Sequence, residues 1–341
     1  MSRSTLTING KPVQARDGET LVNAAMSSGI VIPHDCLTGQ CDTCMVSLVS
    51  GEIDGQPAGN DGDYLACQAR VSGPAQIQFE EIPAVAKWKG IVHSVTPMAA
   101  DVWEVIVGLD RRVPYLPGQY VNLTFGSLPE RAFSPTIGLD LHADEFKLTF
   151  HIRCMPQGRV SGELGRKIIK GTRVQVRGPF GHAYLRRAKN RLVFISSGTG
   201  WAPIWSMAVA ARLGQPDRDM LVVTGARLVN RLYMMPALDW LRATGAGKVT
   251  LFAAAADGDG RGILHGRAAD HIPQLLASDI VHVAGPKSLV DAALARARAV
   301  GAQCHTDPFE RAEAKPSVGG RFSKLFSRFG ASRQRPAEQA G

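Results

Sequence analysis

The sequence predicts a multi-domain α+β and α/β protein, and three observations carry that prediction. Short β-branched runs broken by Gly, Pro and Asn turns fill the chain up to about residue 187. From Arg191 the period changes to continuous apolar strands alternating with helical stretches, the pattern of a parallel sheet covered on both faces. A length of 341 residues exceeds one ordinary domain, so two or three are expected. The expected boundaries are 1–82, 88–187 and 190–310. The tail at 311–341 is polar, small and basic, a composition that predicts disorder.

In the first module, Thr5–Ile8 alternates toward an Asn9-Gly10 turn, and Val13–Ala15 can return as its hairpin partner. Thr20 can cap a helix through Ser28, ended by Gly29. Strands are expected at Met45–Val49 and Ile77–Phe79, with a linker at Ile82–Ala86. The second module reads as an antiparallel barrel with strands at Gly90–Val95, Val102–Val107, Tyr120–Phe125, Lys147–Arg153 and Arg173–Arg177. One helix is expected at Ser161–Lys170. In the third module, strands fall at Leu192–Ile195, Met220–Thr224, Val249–Ala253 and Ile280–Val283. Helices run from the first of these to Leu213, over Met235–Thr244 and over Ser288–Ala299.

Composition excludes several function classes. Four of six cysteines are grouped at metal-ligand spacing, which argues for a reducing compartment and against a disulfide framework. Cys154 and Cys304 sit in apolar contexts and read as buried thiols. No signal-peptide core or membrane-length apolar run is present, so a cytoplasmic protein is expected. The net charge of +9 is unevenly placed. Residues 1–82 hold four Lys/Arg against ten Asp/Glu, residues 83–310 hold 28 against 18, and residues 311–341 hold seven against two. An acidic module beside a basic body suits docking between modules or with a partner, and no nucleic-acid ligand is expected.

Cys36, Cys41, Cys44 and Cys67 carry the strongest chemical signal. Their C-x4-C-x2-C spacing, with a fourth Cys after 22 intervening residues, is the plant-type 2Fe–2S arrangement. Gly39 inside the loop permits the positive φ that wrapping thiolates need, and Thr38 and Thr43 offer hydroxyls. A four-Cys zinc site is the alternative, but its ligands usually come as two C-x2-C pairs, and here there is one.

Three further segments point to nucleotides. In Arg131-Ala132-Phe133-Ser134 the Arg can pair with a phosphate, the aromatic can lie on a ring system, and the Ser can bond a ring heteroatom. Alone this is weak, since a solvated Arg beside a core Phe looks the same. Gly158-Arg159-Val160-Ser161, opening the expected helix, could offer amides to a diphosphate. Ser197-Gly198-Thr199-Gly200-Trp201-Ala202-Pro203 stands between a strand and a helix, where glycines let a dinucleotide approach the backbone. A plain strand-to-helix turn is the alternative. Gly225 and Gly285 end two more strands of the same sheet, on the edge where such sheets bind ligands.

In this order, the features resemble the reductase components of bacterial ring-hydroxylating dioxygenases, naphthalene dioxygenase type, over roughly residues 5–310. The closer likeness lies in His151-Ile152-Arg153, Gly158-Arg159-Val160 and Gly178-Pro179-Phe180-Gly181. The resemblance implies an N-terminal β-grasp ferredoxin, an antiparallel β-barrel flavin domain and a parallel α/β nucleotide-binding domain. It implies FAD, with Arg131 on its phosphate, Phe133 and Ser134 at the isoalloxazine, His151 and Arg153 in the same site, and Gly158, Val160 and Ser161 near the diphosphate. It implies that Gly198, Thr199, Gly200, Pro203, Gly225, Arg227 and Gly285 meet NADH (or NADPH), and that Phe309 covers the flavin. Ser134 and Phe309 are the implied catalytic residues.

Three positions depart from the family pattern. Asp42 stands where Gly is usual, Ala284 where Cys is frequent, and Arg231 where an acidic residue is common. Arg231 with Arg227 would suit the 2′-phosphate of NADPH, although NADH is the preferred reading. The expected job is electron transfer from NAD(P)H through FAD and a 2Fe–2S cluster to an oxygenase component or a small Rieske or ferredoxin protein, by a monomer. The alternatives are a reductase of a diiron or membrane-bound monooxygenase, and a redox sensor or scaffold without turnover. In the tail, Phe322, Leu325, Phe326 and Phe329 share one helical face with basic residues between them. Membrane contact there is weighed against chance spacing, and chance is preferred.

Overall fold

Three sheets are built in succession along the chain. The computed structural model describes residues 2–34, 37–39, 44–58, 62–141, 144–186 and 190–309. Cys36, Cys41, Asp42, Thr43 and the tail with its amphipathic pattern lie outside the described residues.

The N-terminal module contains β1 (Arg3–Ile8), β2 (Lys11–Arg16), α1 (Leu21–Ser27), β3 (Met45–Asp54), β4 (Asp63–Leu65) and β5 (Arg70–Gln78). Its sheet order is β2-β1-β5-β3-β4. Asn9 and Gly10 both take positive φ, as a two-residue hairpin turn requires. The Thr20 hydroxyl accepts the Asn23 N–H at 3.3 Å and caps α1. Leu6, Ile8, Leu21, Ile32, Val46 and Ile77 form its core. β5 is longer than the sequence suggested. It pairs parallel to β1 and antiparallel to β3, long-range ladders that local alternation cannot reveal.

The second sheet contains β6 (Ala86–Ala99), β7 (Val102–Leu109), β8 (Tyr120–Phe125), β9 (Arg131–Phe133), β10 (Lys147–Arg153) and β11 (Arg173–Phe180), in the order β10-β7-β6-β11-β8-β9. This is a curled antiparallel sheet around Val92, Val105, Leu123, Phe125, Phe150 and Ile168. The helix expected over Ser161–Lys170 is absent. The segment makes one 3₁₀ turn, Ser161–Glu163. Gly165 then takes φ +72° against the face of Trp103, and its N–H bonds back to Ile168 O. A left-handed glycine packed on an indole ends helix propagation there.

The third sheet contains β12 (Leu192–Ser196), β13 (Met220–Gly225), β14 (Val249–Ala255), β15 (Leu264–His265), β16 (Ile280–Gly285) and β17 (Gln303–Pro308), all parallel, in the order β15-β14-β13-β12-β16-β17. Helices α2 (Trp201–Gly214), α3 (Met235–Ala243) and α4 (Lys287–Val300) are interleaved with these strands. One apolar cluster includes Phe194, Trp201, Trp205 and Val222, another Val193, Ile195, Val223 and Ala293. The first also takes in Val102, Met98 and Ile137 from the barrel and Met45 from the N-terminal module. Apolar contact therefore continues across all three modules.

Candidate functional site

Cys44 immediately precedes β3 and Cys67 follows β4. Cys44 and Cys67 are buried, at 1% and 7% exposure. Their segments are joined where the Ala66 N–H donates to Cys44 O at 2.9 Å. The Gln68 amide reaches both Leu37 O (3.3 Å) and the Cys67 sulfur (3.6 Å). Leu37 (φ +56°) and Gly39 (φ +79°) are left-handed, and a Cβ on Gly39 would meet Gln68 Cγ at 3.0 Å. Left-handed residues beside an amide donor to sulfur fit the surroundings that thiolates carrying cluster charge require. Two of the four proposed ligands can thus be located, and their setting fits an iron–sulfur centre.

Arg131, Phe133 and Ser134 lie on and just after edge strand β9, beside β8. Phe133 meets Phe125 and Phe150 edge-on, each at 6.4 Å, and stays half-buried. The Ser134 hydroxyl lies beside the Asp307 carboxyl at the end of β17, so the barrel and the parallel sheet approach each other here. Burial pushes the Asp307 carboxyl up to about 6, although the Ser134 bond opposes the rise. Asp307 Oδ2 and Thr136 Oγ1 are buried without hydrogen-bond partners. Unsatisfied buried oxygens beside a half-covered aromatic fit a planar, heteroatom-rich ligand such as a flavin. Arg131 donates to Glu130 O at 2.8 Å.

The other flavin candidates divide. Gly158 and Ser161 form a tight turn, in which the Ser161 hydroxyl accepts the Met155 N–H at 3.3 Å. The Gly158 amide is taken by Met155 O, and Val160 is buried. The amide-rich helix start anticipated there is reduced to a single turn. His151 is buried and meets Tyr233 of the third module edge-to-face at 5.2 Å. Desolvation holds its imidazole neutral, down to about 3, and both ring nitrogens lack partners. Arg153 donates its Nε to Asp101 at 2.8 Å.

The nicotinamide candidates gather on one edge of the third sheet. Gly198-Thr199-Gly200 forms a 3₁₀ turn between β12 and α2, and Pro203 is buried in the first turn of α2. The two glycines have different jobs. Gly198 (φ +57°) has no atom within 4 Å of a hypothetical Cβ, so its space is open. A Cβ on Gly200 would lie 2.2 Å from Ala284 O, so Gly200 lets the turn pack on the end of β16. A Cβ on Gly225 would lie 3.0 Å from Ala254 O, and one on Gly285 3.2 Å from Ser197 O. Arg227 is exposed just past β13. Phe309 donates its N–H to Gly285 O at 2.8 Å and is 38% exposed, beside the same strand ends. Sequence reading missed Asp101, Thr136 and the pairing of Asp307 with Ser134. Asp101 and Thr136 are single polar residues with no local pattern around them.

Comparison with known proteins follows the same division of the chain. A 2Fe-2S iron-sulfur cluster binding domain matches residues 6–72, an oxidoreductase FAD-binding domain residues 90–184, and an oxidoreductase NAD-binding domain residues 194–294. The chain is 30% identical over 314 residues to the ferredoxin–NAD(+) reductase component of the alkene monooxygenase system of Xanthobacter autotrophicus, covering 84% of this chain and 93% of that protein. It is 29% identical over 290 residues to the reductase component of the naphthalene 1,2-dioxygenase system of Pseudomonas putida, covering 81% and 86%. Among solved structures, an Amycolatopsis cytochrome P450 reductase superposes with a TM-score of 0.60 at 25% identity, covering 90% of this chain and 98% of that one.

Proposed function

The chain belongs to the ferredoxin–NAD(P)+ reductase components of multicomponent oxygenase systems, and from that premise we propose how its residues divide the work. It is an NAD(P)H-dependent iron–sulfur flavoprotein reductase. Bound NAD(P)H would supply hydride, and FAD with a 2Fe–2S cluster would supply the exchange between two-electron and one-electron transfer.

The residue roles follow from position. Cys36, Cys41, Cys44 and Cys67 hold the cluster. Phe133 walls one side of the flavin pocket. Ser134 presents its hydroxyl there and is oriented by Asp307. Arg131, Gly158, Val160 and Ser161 border the flavin's phosphate end. Gly198, Thr199, Gly200, Pro203, Gly225, Arg227 and Gly285 shape the nicotinamide edge. Phe309, tethered through its backbone to Gly285, shields the crevice from water and must swing aside to admit a second ring. No acid–base triad is required, and the buried His151 holds no proton to give at neutral pH. The observation that carries this reading is the match of a 2Fe-2S cluster binding domain, an oxidoreductase FAD-binding domain and an oxidoreductase NAD-binding domain to successive stretches of the chain, with the Ser134 hydroxyl beside the buried Asp307 carboxyl where the second and third meet.

The domain boundaries proposed are 1–82, 88–187, 190–310 and 311–341. The electron acceptor proposed is a Rieske-type oxygenase or its small ferredoxin. A monooxygenase acceptor is a second reading, favoured by the alkene monooxygenase relative. The chain is proposed to act as a cytoplasmic monomer. Among the described residues no helix is long and apolar enough to cross a membrane. The test is an anaerobic visible spectrum of the purified protein before and after NADH. Flavin and broad iron–sulfur absorption, both bleaching, is the expected result. A colourless protein with bound zinc, or colour that NADH leaves unchanged, would reject the reading.

A further inference from the structure

Met45 follows the buried Cys44 and begins β3. Its side chain is half-buried and packs on the apolar cluster that fills one side of the third sheet. Leu185, in the segment after β11, packs on the same cluster. Met45, Pro33 and Phe79 of the first module and Tyr184, Leu185 and Arg186 of the body line one cavity of about 50 Å³. The seam between module and body is therefore incompletely packed, and few side chains hold it.

On the body side these side chains are firmly mounted. The Leu185 N–H donates to Pro117 O at 2.9 Å. Arg186 is buried, and its guanidinium lies 3.6 Å from the centroid of the Tyr184 ring. The same group donates to Tyr184 O at 3.1 Å and to His182 O at 2.8 Å, so the segment is wound around its own arginine. Arg218 of the third module donates to Arg186 O at 3.0 Å. A Cβ on Gly118 would stand 2.5 Å from Ala183 O and 2.8 Å from Met207 Sδ, so barrel, segment and α2 meet without a gap. Leu185 is thus presented to Met45 from a rigid support.

Sheet register brings the flavin candidates to the same corner. β8 lies between β9 and β11 and is antiparallel to both, so β9 and β11 finish at one end of the sheet. Phe133 pairs with Val121 and Phe180 with Tyr120. Two strand spacings, roughly 10 Å, separate the exit of β9, where Ser134 stands, from the exit of β11, which leads to Leu185. The residue beside Cys44 and the residues after Phe133 are therefore tied to neighbouring ends of one sheet.

We propose that Leu185, mounted by Arg186, is a positioning residue that holds the cysteine loop through Met45 at one distance from the flavin site, and so sets the rate at which the cluster is reduced. This rests on the cluster and flavin sites proposed above. The transfer served moves one electron from reduced flavin to a ferric ion of the cluster, with no bond made or broken. Its rate falls exponentially with the gap between the two groups, so a small shift of the module has a large effect.

The test is anaerobic stopped-flow reduction of the loaded full chain by NADH, with flavin and iron–sulfur absorption followed separately and backbone hydrogen exchange measured on the same variants. In Leu185→Ala, flavin reduction stays within twofold of the parent, cluster reduction slows at least fivefold, and the amides of residues 79–85 exchange at least threefold faster. The EPR spectrum of the reduced cluster stays that of the parent, because no ligand is touched. Leu185→Met restores cluster reduction and exchange to within twofold. Cluster reduction within twofold of the parent in Leu185→Ala, equal slowing of flavin and cluster, or an altered EPR spectrum overturns the proposal. If Leu185→Ala does not fold, Met45→Ala decides by the same readings from the other side of the seam. A parent protein whose absorption NADH leaves unchanged would instead sink the reductase reading itself.

Discussion

At the scale of single residues, Asp307 joins the chemistry of the site to stability. Its ordinary value of 3.8 is raised to about 6 by burial. Below about pH 4 the carboxyl is protonated in folded and unfolded chains alike and has no effect on stability. Between about pH 4 and 6 the unfolded chain ionises first, so this group lowers stability as pH rises, by about 3 kcal/mol at most. Above about pH 6 the penalty is complete. Asp307→Asn is expected to remove that slope in thermal unfolding of the flavin-free protein between pH 4 and 7. An unchanged slope would mean that the carboxylate is solvated. Phe309→Ala opens the crevice. Its expected outcome is a change of at least threefold in flavin reduction by NADH or in the NADPH/NADH preference. Neither is expected to move if the ring lies away from the flavin.

At the scale of elements, the Gly198-Thr199-Gly200 turn shows why a motif is less than a mechanism. The sequence presents two equivalent glycines, and the fold assigns them opposite duties. Gly200→Ala drives a methyl into Ala284 O and is expected to destabilise the protein by about 3 kcal/mol, read as a drop in Tm. Gly198→Ala meets no atom and incurs only its left-handed φ, about 1–2 kcal/mol. It is expected to fold and yet to raise KM for NADH, because the methyl occupies open space at the strand edge. Equal stability losses in the two variants would contradict this division. The segment 161–170 teaches the converse. Its composition suits a helix, but Gly165 packing on Trp103 imposes a left-handed turn that local propensity cannot foresee.

At the scale of the whole molecule, an acidic N-terminal module, six charges negative, sits in one chain with a body ten charges positive. Tyr184, Leu185 and Arg186 of the body line one pocket with Pro33, Met45 and Phe79 of the module. Cys67→Ser is expected to remove the broad iron–sulfur absorption and NADH-dependent cytochrome c reduction, while FAD content and NADH–ferricyanide activity survive. Loss of bound FAD in that variant would show that the modules fold interdependently.

Much of this was legible in one dimension, because strands and helices impose periods and because metal and phosphate chemistry needs particular residues at short spacing. β8 and β10 fall within the residues their β-branched runs suggested, and the spacing of the four cysteines pointed to the 2Fe-2S domain that matches residues 6–72. The module order, the cofactor classes and the parallel character of the last sheet follow from such local signals. Tertiary structure decided the rest: which glycine is open and which is packed, that Ser134 meets Asp307, and that Arg153 and Arg231 share one carboxylate. Those facts join residues as far as 173 positions apart, and only folding, by burying charge and closing distance together, gives such pairs a reason to meet.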